Sequence, residues 1–142
     1  MDVTVNLVAT ALGIKGAPTA LGVIETIRKG LPVKALYRIA SVVSPDDATF
    51  RFQFVPKATI ARREKQPGKR LTVDEGGKVA RVARVWVSAL DVWGTEDNAR
   101  AFLFRPHALL AGGKPIEVAI GTDLGAQLVE DILGRLKYSS AP

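Results

Sequence analysis

From Thr72 to Trp93 the chain places apolar residues at helical spacing without a break, and no other segment constrains the fold as strongly. Val79, Val82, Ala83, Trp86, Leu90 and Trp93 follow one another in steps of 3, 1, 3, 4 and 3, the signature of one helix face. Thr72 is a good N-terminal cap and Gly94 a good stop. A helix of about six turns must bury that stripe, so the remaining segments have to pack around it. Several are themselves helical. Val23 to Lys29 is closed by Gly30. A helix opened by Pro32 carries Leu36, Ile39, Ala40 and Val43. Pro56 to Lys65 has Ile60 as its inward anchor and is stopped by Pro67-Gly68. Thr95 caps a short helix with Ala99, Phe102 and Leu103, ended by Pro106. Thr122-Asp123 caps a last helix with Leu124, Leu128, Val129, Ile132, Leu133 and Leu136 assigned to one face.

Other segments read differently. Phe50, Phe52 and Phe54 alternate with Arg51 and Gln53, a period of two that suggests a short strand. Ser44-Pro45-Asp46-Asp47 and Gly112-Gly113-Lys114-Pro115 read as turns. Residues 1–22, punctuated by Gly13, Gly16, Pro18 and Gly22, show no clean period and read as an N-terminal arm with one short helix. Ser139-Ser140-Ala141-Pro142 has nothing to bury. The expectation is a mainly all-α protein of six or seven helices with at most one short strand. Its length of 142 residues, 47% of them hydrophobic, suits one compact domain or two small ones sharing a core. The best internal boundary lies near Gly68 to Leu71.

Composition narrows the chemistry. With no cysteine, disulfide and thiolate chemistry are excluded. The longest apolar run, Val5 to Ile14, is broken by Asn6 and Thr10 and falls short of the roughly 20 residues a bilayer requires. Asp2 stands where a signal peptide would be basic, so the cytoplasm is the default compartment. The net charge of +6 is concentrated in one span. Lys57, Arg62, Arg63, Lys65, Lys69, Arg70, Lys78, Arg81 and Arg84 stand there against Glu64, Asp74 and Glu75, and the remainder is neutral. Such a block favours a polyanion or an acidic protein surface.

Catalytic constellations are missing. The single histidine, His107, sits in a loop beside Pro106 and reads as a surface residue. The carboxylate pairs Asp46-Asp47, Glu96-Asp97 and Glu130-Asp131 are sequence neighbours, which diverge on a helix and share a substrate poorly. Nothing has the spacing of a metal site, and Gly112-Gly113-Lys114 lacks the rest of a phosphate loop. These features point away from an enzyme and from a bound cofactor or metal. A DNA-binding helix is better supported: Lys57, Thr59, Arg62 and Arg63 on one short helix suit a major groove and its phosphates. Against a normal helix-turn-helix stands Phe54, at the place where the tight turn favours glycine.

Two sets of segments then carry a family resemblance from about Val23 to Ala141. The first contains Lys29-Gly30-Leu31-Pro32, Val55-Pro56-Lys57-Ala58-Thr59-Ile60-Ala61-Arg62-Arg63, Leu71-Thr72-Val73-Asp74-Glu75-Gly76 and Arg81-Val82-Ala83-Arg84-Val85. The second contains Ala89-Leu90-Asp91-Val92-Trp93-Gly94, Ala99-Arg100-Ala101-Phe102-Leu103, Arg105-Pro106-His107, Gly112-Gly113-Lys114-Pro115, Gly125, and Leu128-Val129-Glu130-Asp131-Ile132-Leu133-Gly134-Arg135-Leu136-Lys137-Tyr138. In order and spacing they resemble the Xre/MbcA/ParS group of toxin-binding antitoxins, the partners of RES-domain toxins. Phe102 stands where many relatives have tryptophan.

The resemblance implies an N-terminal arm (1–22), a degenerate Xre-like helix-turn-helix region (23–70) and a toxin-binding domain with a C-terminal inhibitory helix and tail (71–142). It implies the antitoxin of a type II toxin–antitoxin system, binding an NAD-degrading RES-domain toxin and occluding its active site. On this chain the contacts fall to Leu128, Asp131, Arg135, Lys137, Tyr138, Ser139 and Ser140. Operator DNA, held by Lys57, Thr59, Arg62 and Arg63, is a second expected partner, with repression of its own operon, and the chain is expected to be a homodimer. The competing reading is a helix-turn-helix transcriptional regulator only.

Overall fold

The computed structural model describes residues 3–16 and 19–139. In chain order these form α1 (Val3–Leu12), α2 (Ala20–Lys29), α3 (Val33–Val43), a 3-10 turn (Phe50–Gln53), α4 (Lys57–Lys65), α5 (Val73–Trp93), α6 (Glu96–Phe104), a second 3-10 turn (Ala108–Leu110), α7 (Pro115–Gly121) and α8 (Asp123–Tyr138). Among the described residues there is no β-strand, only an antiparallel bridge between Pro32 and Arg70. The protein is all-α, as its periodicity indicates. No helix among the described residues is long and apolar enough to cross a membrane.

The long central helix starts and stops for the reasons its sequence suggests. The Thr72 hydroxyl accepts from the Glu75 N–H, and the Glu75 carboxylate accepts in return from the Thr72 N–H. This reciprocal box satisfies two donors that a helix start leaves without partners. Gly94 closes the helix in the left-handed conformation, at φ 81°, which glycine adopts without steric cost. Helices α1, α2, α3, α6, α7 and α8 all pack on α5. Its buried surface is therefore wider than one stripe and includes Ala80, Val85 and Ala89 beside Val79, Val82, Ala83 and Trp86. A helix enclosed on several sides is apolar most of the way round. At its end the expectation fails: Leu90 is only partly buried, and Trp93 is 39% exposed.

Four further sequence expectations change. The one short helix expected within residues 1–22 is present as α1, but it buries Val8, Ala9 and Leu12 against α3 and α5 and so belongs to the core and not to an arm. The Phe50–Phe54 segment is a 3-10 turn and not a strand. Among the described residues no strand lies beside it to pair with. Phe50 and Phe54 instead both turn inward, with rings edge-on at 5.4 Å, and Phe50 also meets Phe104 at 5.6 Å. Phe54 sits at φ −81°, ψ −48°, ordinary right-handed backbone, so the turn before α4 demands no glycine. Next, the turn Gly112-Gly113-Lys114-Pro115 leads directly into α7, a helix that periodicity does not announce. Pro115 occupies its first position, and Ile116, Ala119 and Ile120 are buried at i, i+3, i+4 spacing. Finally, α8 buries Ala126, Val129, Ile132 and Leu133. Leu124, Leu128 and Leu136 are not part of that inner face.

Much of the basic span staples the fold together. The last carbonyls of a helix lack partners within it and carry partial negative charge. Arg81 donates to Ala119 O (3.3 Å) and Ile120 O (2.7 Å) at the end of α7. Arg70 donates to Gly30 O just past α2, at 2.8 Å. Outside the span, Arg100 does the same for Val42 O near the end of α3, at 3.1 and 2.8 Å. One continuous hydrophobic core runs from Val8 to Leu133.

Candidate functional site

The outward side of α8 carries a seam of its own. Leu124 (74% exposed), Leu128 (40%), Asp131, Arg135 and Tyr138 (76%) recur in steps of 4, 3, 4 and 3, which keeps them on one face. The helix beneath is well held. Thr122 caps its start by accepting from the Gly125 N–H at 2.8 Å. Arg84 on α5 pairs with both Asp123 (3.2 Å) and Glu130. The Arg84 guanidinium is desolvated, which alone would lower its pKa, but its bonds to Glu130 and Asp123 raise it overall.

The residues expected to contact a partner divide on this frame. Leu128, Asp131, Arg135 and Tyr138 stand together on the exposed seam. Among the described residues, neither Asp131 nor Arg135 takes part in an ion pair. Lys137 turns back to pair with Asp91 on α5, an interaction that raises its pKa, and its ammonium lies 5.5 Å from the Tyr138 ring centroid. The Ser139 hydroxyl and N–H both donate to Arg135 O, so Ser139 serves as the helix cap. Ser140 and the rest of the tail lie outside the described residues.

Beside the end of α8 lies a groove that the sequence reading missed. It encloses about 400 Å³ between the end of α5, α6 and the loop after α6. Trp93, Phe102, Pro106, His107 and Leu136 form its walls and Arg105 its rim. The Trp93 and Phe102 ring centroids are 5.9 Å apart, as are those of Phe102 and His107. His107 Nδ1 accepts from the Leu109 N–H at 3.1 Å, which fixes the ring. The available signal was the density of aromatic and loop residues in Phe102 to His107. Periodicity assigned Trp93 to the core and left His107 as a lone surface residue.

The four residues expected to face DNA do not stay together either. On α4 Lys57 and Arg62 are exposed and Thr59 is partly so, and Lys65 joins Arg62 on the outer side. Arg63 points inward. It donates from Nε and Nη2 to the two Glu75 oxygens, both at 3.0 Å, with only 14% of either side chain exposed. Within the span from Lys57 to Arg84, Arg63, Lys69, Arg70, Lys78, Arg81 and Arg84 all hold hydrogen bonds or ion pairs inside the chain. That leaves Lys57, Arg62 and Lys65 as its cations without such a partner among the described residues. Lys57 lies 5.9 Å from the Phe52 ring centroid.

Known families cover the same two regions. Residues 88–138 match the antitoxin Xre/MbcA/ParS C-terminal toxin-binding domain, and residues 22–84 match the antitoxin Xre-like helix-turn-helix domain. A curated relative, antitoxin Xre of Yersinia enterocolitica serotype O:8 / biotype 1B, is 28% identical over 127 residues, covering 87% of this chain and 84% of its own. The α8 seam and the aromatic groove fall within the first match, and α4 within the second.

Proposed function

This chain belongs to the Xre/MbcA/ParS-type antitoxins, and on that premise we propose that it silences a RES-domain, NAD-degrading toxin by laying the outer seam of α8 over the toxin's active-site cleft. The carrying observation is the seam itself. Leu124, Leu128 and Tyr138 are exposed apolar or aromatic side chains at regular spacing on a helix whose opposite face is fully packed. An exposed helix face of this kind suits a partner's groove. Tyrosine adds large contact area with few rotatable bonds, and Asp131 and Arg135 supply unpaired charge for orientation. The residues after Tyr138 extend the plug into the cleft. The setting is the cytoplasm, where NAD is available to such a toxin.

The test is a chain ending at Lys137. Tyr138 is 76% exposed and the Ser139 cap closes only the last turn of α8, so the melting temperature should fall only slightly from that of the full chain. NAD hydrolysis by a purified RES-domain toxin that the full chain inhibits should resume in the presence of the shortened chain. If the shortened chain still inhibits fully, occlusion by the end of α8 is wrong.

The same protein, as a homodimer, represses its own operon on this reading, with α4 carried into paired major grooves. The supporting observation is the outward set Lys57, Arg62 and Lys65 on α4, inside the helix-turn-helix match. Replacing Lys57 and Arg62 by alanine should weaken binding to the DNA upstream of the gene and reduce the salt slope by about 2. Arg63→Ala should instead lower the melting temperature. Unchanged affinity in the double variant would remove DNA reading by α4. Operator binding without any toxin inhibition would leave a transcriptional regulator only.

A further inference from the structure

We propose that the groove between Trp93, Phe102, His107 and Leu136 is a second anchoring point for the toxin, and that it receives a large apolar side chain of the toxin flanked by a carboxylate. The proposal rests on the toxin-binding reading of the C-terminal half and adds a contact separate from the α8 seam.

Three observations select this occupant. The first is chemical. Of the two tryptophans, Trp86 is 3% exposed in the core, whereas Trp93 is 39% exposed and lines a groove of about 400 Å³. Tryptophan and arginine are the side chains most often found where binding energy is concentrated, and this groove holds one of each. The second is charge. Arg105 is the one lysine, arginine, aspartate or glutamate in the lining, and among the described residues it joins no ion pair. An acidic group beside the inserted side chain is therefore the complementary partner, while a second copy of this chain, at +6, is a poorer electrostatic match. The third is continuity. Leu136, 39% exposed, puts one wall of the groove on α8 itself, the helix that carries the seam, about a third of a turn round from Arg135.

The groove is also preformed. Gly94 and the Thr95 cap, which accepts from the Asn98 N–H at 3.2 Å, fix the α5–α6 corner. The His107 ring is held by the Leu109 N–H and by edge contact with Phe102. A site that needs no ordering gives up less free energy on binding.

The experiment measures dissociation constants between the full chain and a purified RES-domain toxin that it inhibits. Trp93→Ala, Arg105→Glu and Leu136→Ser should each weaken the complex by about 30-fold or more. Arg105 is exposed, so Arg105→Glu should leave the melting temperature unchanged and keeps the test valid if Trp93→Ala loosens the fold. Dissociation constants within threefold of the parent for Arg105→Glu and Leu136→Ser would overturn the inference. Leu128→Asp serves as the comparison on the seam. If it abolishes binding while the groove variants bind normally, the seam stands and the groove inference falls. If the groove variants abolish binding and Leu128→Asp does not, the groove stands and the seam mechanism falls. If groove variants change only the chain's own sedimentation, the groove seats a second copy and the inference is wrong.

Discussion

Gly125→Ala is expected to cut the stability of the protein by about 3 kcal/mol or more, enough to leave the C-terminal half poorly folded at 37 °C. A Cβ at this position would lie 2.2 Å from Val118 O and 3.1 Å from both the Val118 carbonyl carbon and the Thr122 hydroxyl. The first of these atoms is helix backbone in α7 and has no rotamer to swing away. Relief requires α7 and α8 to move apart, and this is the most extensively packed helix pair in the fold. Alanine is otherwise the better helix former by about 1 kcal/mol, so the sign is decided by the clash. Gly134 on the same helix is the control. A Cβ there meets nothing within 4 Å, and Gly134→Ala should stabilise by roughly 0.5–1 kcal/mol. Urea unfolding of the two variants should therefore shift in opposite directions. A Gly125→Ala protein as stable as its parent would mean that the spacing of α7 and α8 is not as described.

That glycine illustrates how much of the molecule its sequence discloses. Elements whose ends are marked by local chemistry are legible: Thr72 with Glu75, Gly94, Thr95 and Thr122 each cap or stop a helix where their residue types suggest. Placement against neighbours is not legible from local pattern. The alternating phenylalanines of the first 3-10 turn have the period of a strand, and only the absence of a pairing partner decides otherwise. The leucines of α8 were assigned to one face because they are apolar. Ala126 in fact belongs to its inner face with Val129, Ile132 and Leu133, while Leu124, Leu128 and Leu136 are left outside. Alanine carries little hydrophobic signal, so the exposed leucines stand in the pattern where Ala126 is packed. For the candidate site, the residue types on α8 could be named in advance. That Lys137 folds back on Asp91, that Ser139 caps its own helix, and that Trp93 and His107 meet across a groove all depend on tertiary contacts. The basic span shows the same division. Its charge is plain in composition, but its use in closing helix ends is a property of the fold.

The second large effect is expected at Glu75, where one carboxylate performs two tasks. It accepts from the Thr72 N–H at 2.9 Å to complete the start of α5, and it takes both donors of Arg63 from α4. Removing it as Glu75→Ala opens the cap and leaves a largely buried guanidinium without its partner. Because the pair keeps some solvent access, the loss should be about 2–4 kcal/mol, below that of a fully buried ion pair. The α4 helix then keeps its buried Ile60 and the Tyr37–Glu64 bond but loses its tie to the start of α5, and the DNA affinity proposed for α4 should fall even though Arg62 and Lys57 are intact. The pH dependence has a definite sign. Burial pushes the Glu75 carboxyl up, but the Arg63 hydrogen bonds and charge and the Thr72 N–H outweigh it and hold the group below its ordinary value. A depressed folded pKa contributes stability that is present in full above the unfolded value, about 4.3, and is lost as pH falls through the folded one. Glu75→Gln keeps the shape and one acceptor but carries no charge. It should melt at a lower temperature than the parent at pH 7, and the difference should shrink as the pH drops below about 4.3. Parallel melting curves for the two proteins from pH 7 down to pH 3 would show that the Arg63–Glu75 pair does not hold α4 in place.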